Sequence, residues 1–221
     1  MFILIKFPTR SRPDKFFSVL DQYIDNATDI NKIGFLITLD TDDVLMNNQA
    51  VIARLQTYKN LTYKFGDSKN KIEAINNDIN SVNYWDILLL ASDDMVPIEK
   101  GYDDIIRDDM RKYFSDLDGV LWYNDGTQDR TNTLSILGKR YYDRFNYIYH
   151  PAYISLWCDN EFTDVSIILN KVYKTDRVII KHVHPNNCGG EYDQLYIKNE
   201  LYFNQDEETY KQRKKNKFDL T

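Results

Sequence analysis

Asp86-Ile-Leu-Leu-Leu-Ala-Ser-Asp-Asp-Met-Val-Pro97 joins an apolar strand directly to two adjacent carboxylates. Ile87–Leu90 reads as a buried strand, and Ser92-Asp93-Asp94 would stand at the carboxyl edge of a sheet, where open α/β folds bind their ligands. Two acids there suggest a divalent cation and a phosphate-bearing ligand. A nucleoside diphosphate carries several negative charges, and hard oxygen ligands hold Mg²⁺ or Mn²⁺ against it with only one or two protein carboxylates. An Asp after a strand also serves as a helix cap or a turn residue, so the pair needs company before it means chemistry.

Outward from this strand, the first half of the chain alternates apolar strands with amphipathic helices. Strands read at residues 2–7, 32–39 and 61–65, and helical spacing at 13–23, 44–55 and 68–79. Ile72, Ile75 and Ile79 fall at i, i+3 and i+7 and make one apolar face. The βαβαβαβ order predicts a parallel, doubly wound sheet of the Rossmann-like α/β class. Beyond residue 100 the pattern loosens. Residues 119–123 and 133–137 look like strands, Phe162, Val165, Ile168 and Leu169 mark the buried side of a helix, and 177–183 is a late strand followed by a turn at 185–190. Residues 193–217 read as a charged helical stretch. With no repeat and no linker, the expectation is one domain, with a nucleotide-binding half over about 1–98 and an acceptor-binding half over about 99–221.

Composition narrows the partners. The net charge of −6 argues against extended nucleic-acid binding, which needs a broad basic surface. The one basic cluster, Lys211, Arg213, Lys214, Lys215 and Lys217, is either a solvated helix face or a contact with ligand phosphates or anionic lipid. Cys158 and Cys188 have neither zinc-like spacing nor a disulfide framework, which fits a reducing cytosol. Residues 1–7 are too short for a signal peptide and no apolar run reaches membrane-spanning length. The expected location is cytoplasmic, with peripheral membrane contact available through Lys211–Lys217.

Polar groups collect at the predicted strand ends. The first connection, Lys6-Phe-Pro-Thr-Arg-Ser-Arg-Pro13, lacks the glycines of a dinucleotide fold or a P-loop. It offers instead the hydroxyls of Thr9 and Ser11 and the guanidinium groups of Arg10 and Arg12, suited to phosphate, ribose or base edges, with Pro13 opening the next helix. Asp40 ends the second strand and can accept hydrogen bonds from a nucleotide, while Asp42 and Asp43 read as caps for the next helix. Lys71 sits in a first helical turn, where an anionic partner would rationalise it and a surface lysine is the plainer reading. Asp159, Glu161 and Asp164 surround a helix start; one of them can deprotonate an acceptor hydroxyl, and each can equally serve the helix terminus. His182 and His184 share one face of a strand end, and one of them can complete a metal site with Asp94.

Taken in order, the Thr-Arg-Ser-Arg-Pro loop, Asp40, Lys71, Ser92-Asp93-Asp94, the acidic helix start and the late His resemble a GT-A glycosyltransferase, most nearly of the family-2 type, over roughly residues 2–185. The resemblance implies a GT-A sheet flanked by helices in a single domain, a UDP- or GDP-linked sugar as donor, Mn²⁺ or Mg²⁺ as cofactor, and a glycan or other hydroxyl as acceptor. It puts Thr9 and Asp40 at the base, Arg10, Arg12 and Lys71 near base or phosphate, Asp93 at the ribose, Asp94 on the metal, and His184 or His182 as the further ligand. Asp159 matches the base of inverting members, with Glu161 as its rival. The chain departs from the pattern in reading Ser-Asp-Asp where Asp-x-Asp is commoner, and Asp-Asn-Glu where adjacent Glu-Asp is usual. Other readings are a nucleotidyltransferase acting on a sugar phosphate, which should carry a glycine-rich, lysine-bearing first loop, and a carbohydrate- or partner-binding module that kept the fold without the chemistry.

Overall fold

β1 (Ile3–Pro8), β2 (Ile33–Asp40) and β4 (Ile87–Leu90) are nearly all apolar, and in the computed structural model, which describes residues 1–183 and 194–220, they are buried side by side, while β3 (Leu61–Gly66) at the sheet edge alternates half-buried and exposed residues. β1 lies between β2 and β4, with β3 outside β2, all parallel. Successive side chains of a strand point to opposite faces. Ile3, Ile5 and Phe7 therefore join one core, against α1 (Pro13–Asp25) and α4 (Tyr102–Tyr113), and Leu4 joins a second, against α3 (Lys71–Asn76), α5 (Lys139–Phe145) and α6 (Cys158–Ile168). α1 opens on Pro13 and buries Phe16, Phe17, Leu20 and Tyr23 along one stripe.

The full sheet has seven strands in the order β3-β2-β1-β4-β7-β6-β8. β7 (Ile136–Gly138) runs antiparallel to both neighbours, while β6 (Val120–Tyr123) and β8 (Val172–Thr175) are parallel to each other. The sheet is thus mostly parallel: the four strands of the first half run parallel as expected, and the one reversed strand, β7, comes from the second half. A two-stranded ribbon of β5 (Met95–Pro97) and β9 (Ile180–His182) stands beside it, with Met95 opposite His182.

Several boundaries move for local reasons. The second helix, α2 (Gln49–Leu55), starts at the Asn48 cap, whose side chain accepts from Ala50 and Val51 N–H at 3.1 Å each; Asp43 instead accepts from the Ser11 N–H at 2.6 Å. α3 is capped by Asn70, which accepts from Glu73 N–H at 2.8 Å, and beyond its end the chain turns through Asp78 at φ 69°. Ile168 is 57% exposed, so the buried side of α6 is carried by Phe162 and Val165. The charged C-terminal stretch is two helices, α7 (Gln194–Glu200) and α8 (Phe203–Lys215). No helix among the described residues is long and apolar enough to cross a membrane.

Candidate functional site

A cleft of about 540 Å³ opens at the carboxyl ends of β1, β2 and β4, within the range of small-molecule sites. Its wall includes Thr9, Arg10, Arg12, Asp40, Lys71, Asp93, Asp94, Asp159 and His182, so nearly every sequence-predicted site residue meets in one place. Glu161 does not line it, and His184 lies outside the described residues.

At one end, Thr9 extends the β1–β2 ladder by donating its N–H to Thr38 O at 3.1 Å. Arg10 bridges two acids, donating to Asp40 at 2.8 Å and to both oxygens of Asp42 at 2.6 and 2.9 Å. That pairing fixes the Asp40 carboxylate while leaving its other oxygen, Oδ1, buried with no hydrogen-bond partner among the described residues. Thr9 Oγ1, Ser68 Oγ and Ser155 Oγ are in the same condition, and all four belong to residues of this cleft. Unsatisfied buried polar atoms are expensive, and four of them sit on residues that line this one cavity.

At the middle, Arg12 donates to Asp93 at 3.0 Å with both side chains about nine-tenths buried. Burial pushes the Asp93 carboxyl up to about 6 despite that guanidinium, and the neighbouring Asp94 charge adds to the rise. The two acids have different surroundings. Ser92 Oγ donates to Asp94 Oδ1, and Asp94 Oδ2 lies 3.5 Å from His182 Nε2. The β5–β9 ribbon makes this meeting, with Val183 N–H donating to Asp94 O at 2.7 Å. Behind His182 stands buried Asp125, its carboxylate 3.9 Å from Nδ1 and held by Thr127, Gln128 and Thr133. Among the described residues no group of three or more His, Cys, Asp and Glu converges as a metal cage; the convergent pair is Asp94 with His182.

Across the cleft, Lys71 opens α3 and Asp159 lies in the first turn of α6. Burial raises the Asp159 carboxyl above the ordinary range, and the Lys71 charge works against that rise. The Lys71 side chain makes no hydrogen bond or ion pair among the described residues, and the residue lines the cleft. Glu161 faces elsewhere because residues two apart on a helix point to different sides. It accepts from Tyr153 Oη at 2.7 Å and from Arg213 at 2.7 and 2.9 Å.

Arg213 is therefore an internal ion-pair partner, and Lys211 and Lys214 pair with Glu207 and Asp164. Of the C-terminal basic cluster, Lys215 and Lys217 are the members with no ion pair among the described residues. Residues that the sequence does not single out include Ser68 and Ser155 on the cleft and Asp206 behind it, which accepts from three successive backbone N–H groups at residues 154–156. Asp206 sits in a run of polar and acidic residues, Asn204-Gln-Asp-Glu-Glu208, and nothing in that run distinguishes it.

No protein-family model matches the chain, and no curated protein matches it by sequence. Solved structures do match in fold. A mannosyltransferase from Pyrobaculum calidifontis in complex with GDP-Man and Mn²⁺ aligns with a TM-score of 0.66 at 11% identity, over 84% of this chain and 58% of its own. TarS residues 1–349 from S. aureus in complex with UDP-GlcNAc aligns with a TM-score of 0.62 at 12% identity, over 87% and 62%. The 4-diphosphocytidyl-2C-methyl-D-erythritol synthase from Anaerococcus prevotii aligns at 0.56 and 12% identity, over 92% and 96%. The chain thus spans about three fifths of the length of the first two. The order of the sheet, the cleft at its carboxyl edge and these neighbours agree on one architecture: the chain has the GT-A fold, a Rossmann-like, mostly parallel sheet flanked by helices in a single domain.

Proposed function

We propose that this protein transfers a sugar from a nucleoside-diphosphate donor to a hydroxyl acceptor, with direct displacement and inversion at the anomeric carbon. The observation that carries the reading is the convergence of Thr9, Asp40, Lys71, Asp93 and Asp94 on one cleft with Asp159. Thr9 and Asp40 take the base, the Arg12–Asp93 pair takes the ribose, and Lys71 takes the diphosphate, in line with the nucleotide sugars named in the solved neighbours. Arg10 acts by fixing Asp40.

The donor set near Asp94 fits a divalent cation. A carboxylate oxygen and an imidazole nitrogen 3.5 Å apart offer mixed oxygen and nitrogen ligation, which suits Mn²⁺ more than Mg²⁺. Asp94 and His182 would hold it, and bound there it would supply positive charge against a diphosphate leaving group. His184 stays a second candidate ligand.

Asp159 is the base. Its raised pKa makes it a stronger proton acceptor near neutral pH than an ordinary carboxylate, and it faces the cleft. It removes the proton from the acceptor hydroxyl as that oxygen bonds to the anomeric carbon. The bond from that carbon to the diphosphate breaks, and the nucleoside diphosphate leaves with the electron pair. Lys71 meets the charge that develops on it. Glu161, tied to Arg213, is assigned a structural role.

Transfer from UDP- and GDP-sugars to hydroxyl acceptors, measured with Mn²⁺, tests the assignment. Asp159→Asn should lower kcat by about 10²- to 10⁴-fold, the range for losing a general base. Glu161→Gln should act chiefly on stability. Equal kcat in Asp159→Asn and the parent would remove Asp159 from the mechanism.

A second reading has its own support, since the nucleotidyltransferase neighbour matches this chain over nearly the whole of both lengths. Against it stands the first loop, Lys6 to Pro13, which has no glycine to cradle a triphosphate. Release of pyrophosphate from a nucleoside triphosphate and a sugar phosphate would favour it over sugar transfer.

A further inference from the structure

We infer that Asp206, on the C-terminal helix α8, is a positioning residue of the transfer site: it fixes the 154–156 segment that presents Ser155 to the cleft and leads into Asp159. The inference rests on the proposed transfer reading. Asp206 is fully buried and its carboxylate accepts from the N–H groups of Ile154, Ser155 and Leu156 at 3.0, 2.8 and 2.8 Å. Three consecutive backbone donors on one charged acceptor form an anion nest whose bonds are stronger than neutral ones, so the segment has little freedom to move.

The other side of that segment is held as well. Ile154 O accepts from the N–H of Ile72, the residue after Lys71 in α3, at 3.4 Å. One short stretch of backbone is thus clamped between the helix that carries the cleft lysine and α8. It leads through Trp157, at φ 60°, into α6 and Asp159.

A second latch closes on the far side of Asp159. Arg213 grips Glu161 through two nitrogens, and Tyr210 Oη donates to Asp164 at 2.7 Å. Among the described residues, every hydrogen bond from α8 to the body of the domain lands on 154–156, 161 or 164, which bracket Asp159 before and after. A helix that only covered apolar surface would have no reason to place its polar contacts so. Ser155, whose Oγ is buried without a partner among the described residues, lines the same cleft, and its backbone is held by the same clamp.

The test is Asp206→Asn in the full chain. Its amide keeps one acceptor oxygen but sets an N–H₂ group against at least one of the three N–H donors and removes the charge, so the clamp is weakened with little change of shape. Misplacing the base by about 1 Å predicts a loss in kcat of about 10²-fold. Donor binding by calorimetry should hold at the parent value, exchange of the Ser155 and Leu156 amides should accelerate, and Asp206→Glu should recover part of kcat. A parent-like kcat, or a kcat loss matched by an equal loss of donor affinity, would overturn the inference. Should Asp206→Asn not fold, Asp206→Glu, which keeps the charge and displaces the carboxylate by one methylene, takes its place: a smaller kcat loss at parent donor affinity is expected, and a parent-like kcat together with faster exchange of the Ser155 and Leu156 amides would refute the inference. A parent that neither binds nor turns over nucleotide sugars refutes the transfer reading instead, and amide exchange then still decides whether Asp206 fixes the segment.

Discussion

Lys6 gives the sharpest energetic prediction. It occupies an inward-facing position of β1, fully buried, where its Nζ donates to Thr38 Oγ1 and to Asn77 O at 2.7 Å beside Asp78. Burial lowers its pKa from an ordinary 10.5 to about 7, with the Asp78 charge opposing the fall. Between those two values the unfolded chain holds a proton that the folded chain has released, so stability falls as the pH drops from about 10.5 to 7 and rises in the opposite direction. Below about 7 the full penalty for the buried ammonium is present; at 1.36 kcal/mol per pH unit it amounts to about 5 kcal/mol. Lys6→Met removes that penalty but leaves Asn77 O unsatisfied, at about 1–3 kcal/mol. The variant should therefore be the more stable protein at about pH 6, and its advantage should shrink by about 3 kcal/mol by about pH 9.5. Urea denaturation of both proteins across that range, read as the difference between them, cancels every other titrating group. A difference that stays flat with pH would refute the argument that a buried lysine is being neutralised there.

Two further outcomes arise from close packing and from the unpaired groups of the cleft. A Cβ at Gly138 would lie 2.2 Å from the backbone oxygen of Leu117, which cannot swing aside, so Gly138→Ala should destabilise the domain by about 1–3 kcal/mol, measured as a fall in the urea midpoint with the m-value kept. Thr9→Val removes a buried hydroxyl that has no partner among the described residues; stability should hold or rise slightly, while donor affinity falls by about 0.5–1.5 kcal/mol in calorimetry.

The strands were legible because Ile3–Phe7, Ile33–Leu39 and Ile87–Leu90 are apolar runs whose ends are set by polar residues. The ends of adjacent parallel strands lie side by side, so Thr9, Asp40 and Asp94 were readable as neighbours although 31 to 85 residues part them in sequence. Helix starts were less legible. Asp43 and Ser68 carry capping chemistry as good as that of Asn48 and Asn70, but Asp43 is committed to a local turn and a tertiary contact, its Oδ1 accepting from Leu45 N–H and its Oδ2 from Ser11 N–H. The reversed β7 left no local signal, because strand direction depends on pairing with β4 and β6. The same holds for His182, which reaches Asp94 through the Met95–His182 pairing, and for Asp206, whose partners lie about 50 residues upstream. Asp159 and Glu161 could not be separated in sequence, since the choice depends on which side of α6 the cleft occupies.

The most direct measurement is calorimetric titration of the protein with a panel of UDP- and GDP-sugars, each with Mn²⁺ and with chelator, alongside Asp94→Ala. At least one donor should bind saturably and weaken at least about tenfold without the cation, a difference of about 1.4 kcal/mol, and Asp94→Ala should bind equally weakly with and without it. Absence of binding by every donor with Mn²⁺ present, or Asp94→Ala binding that keeps the full response to the cation, would contradict it.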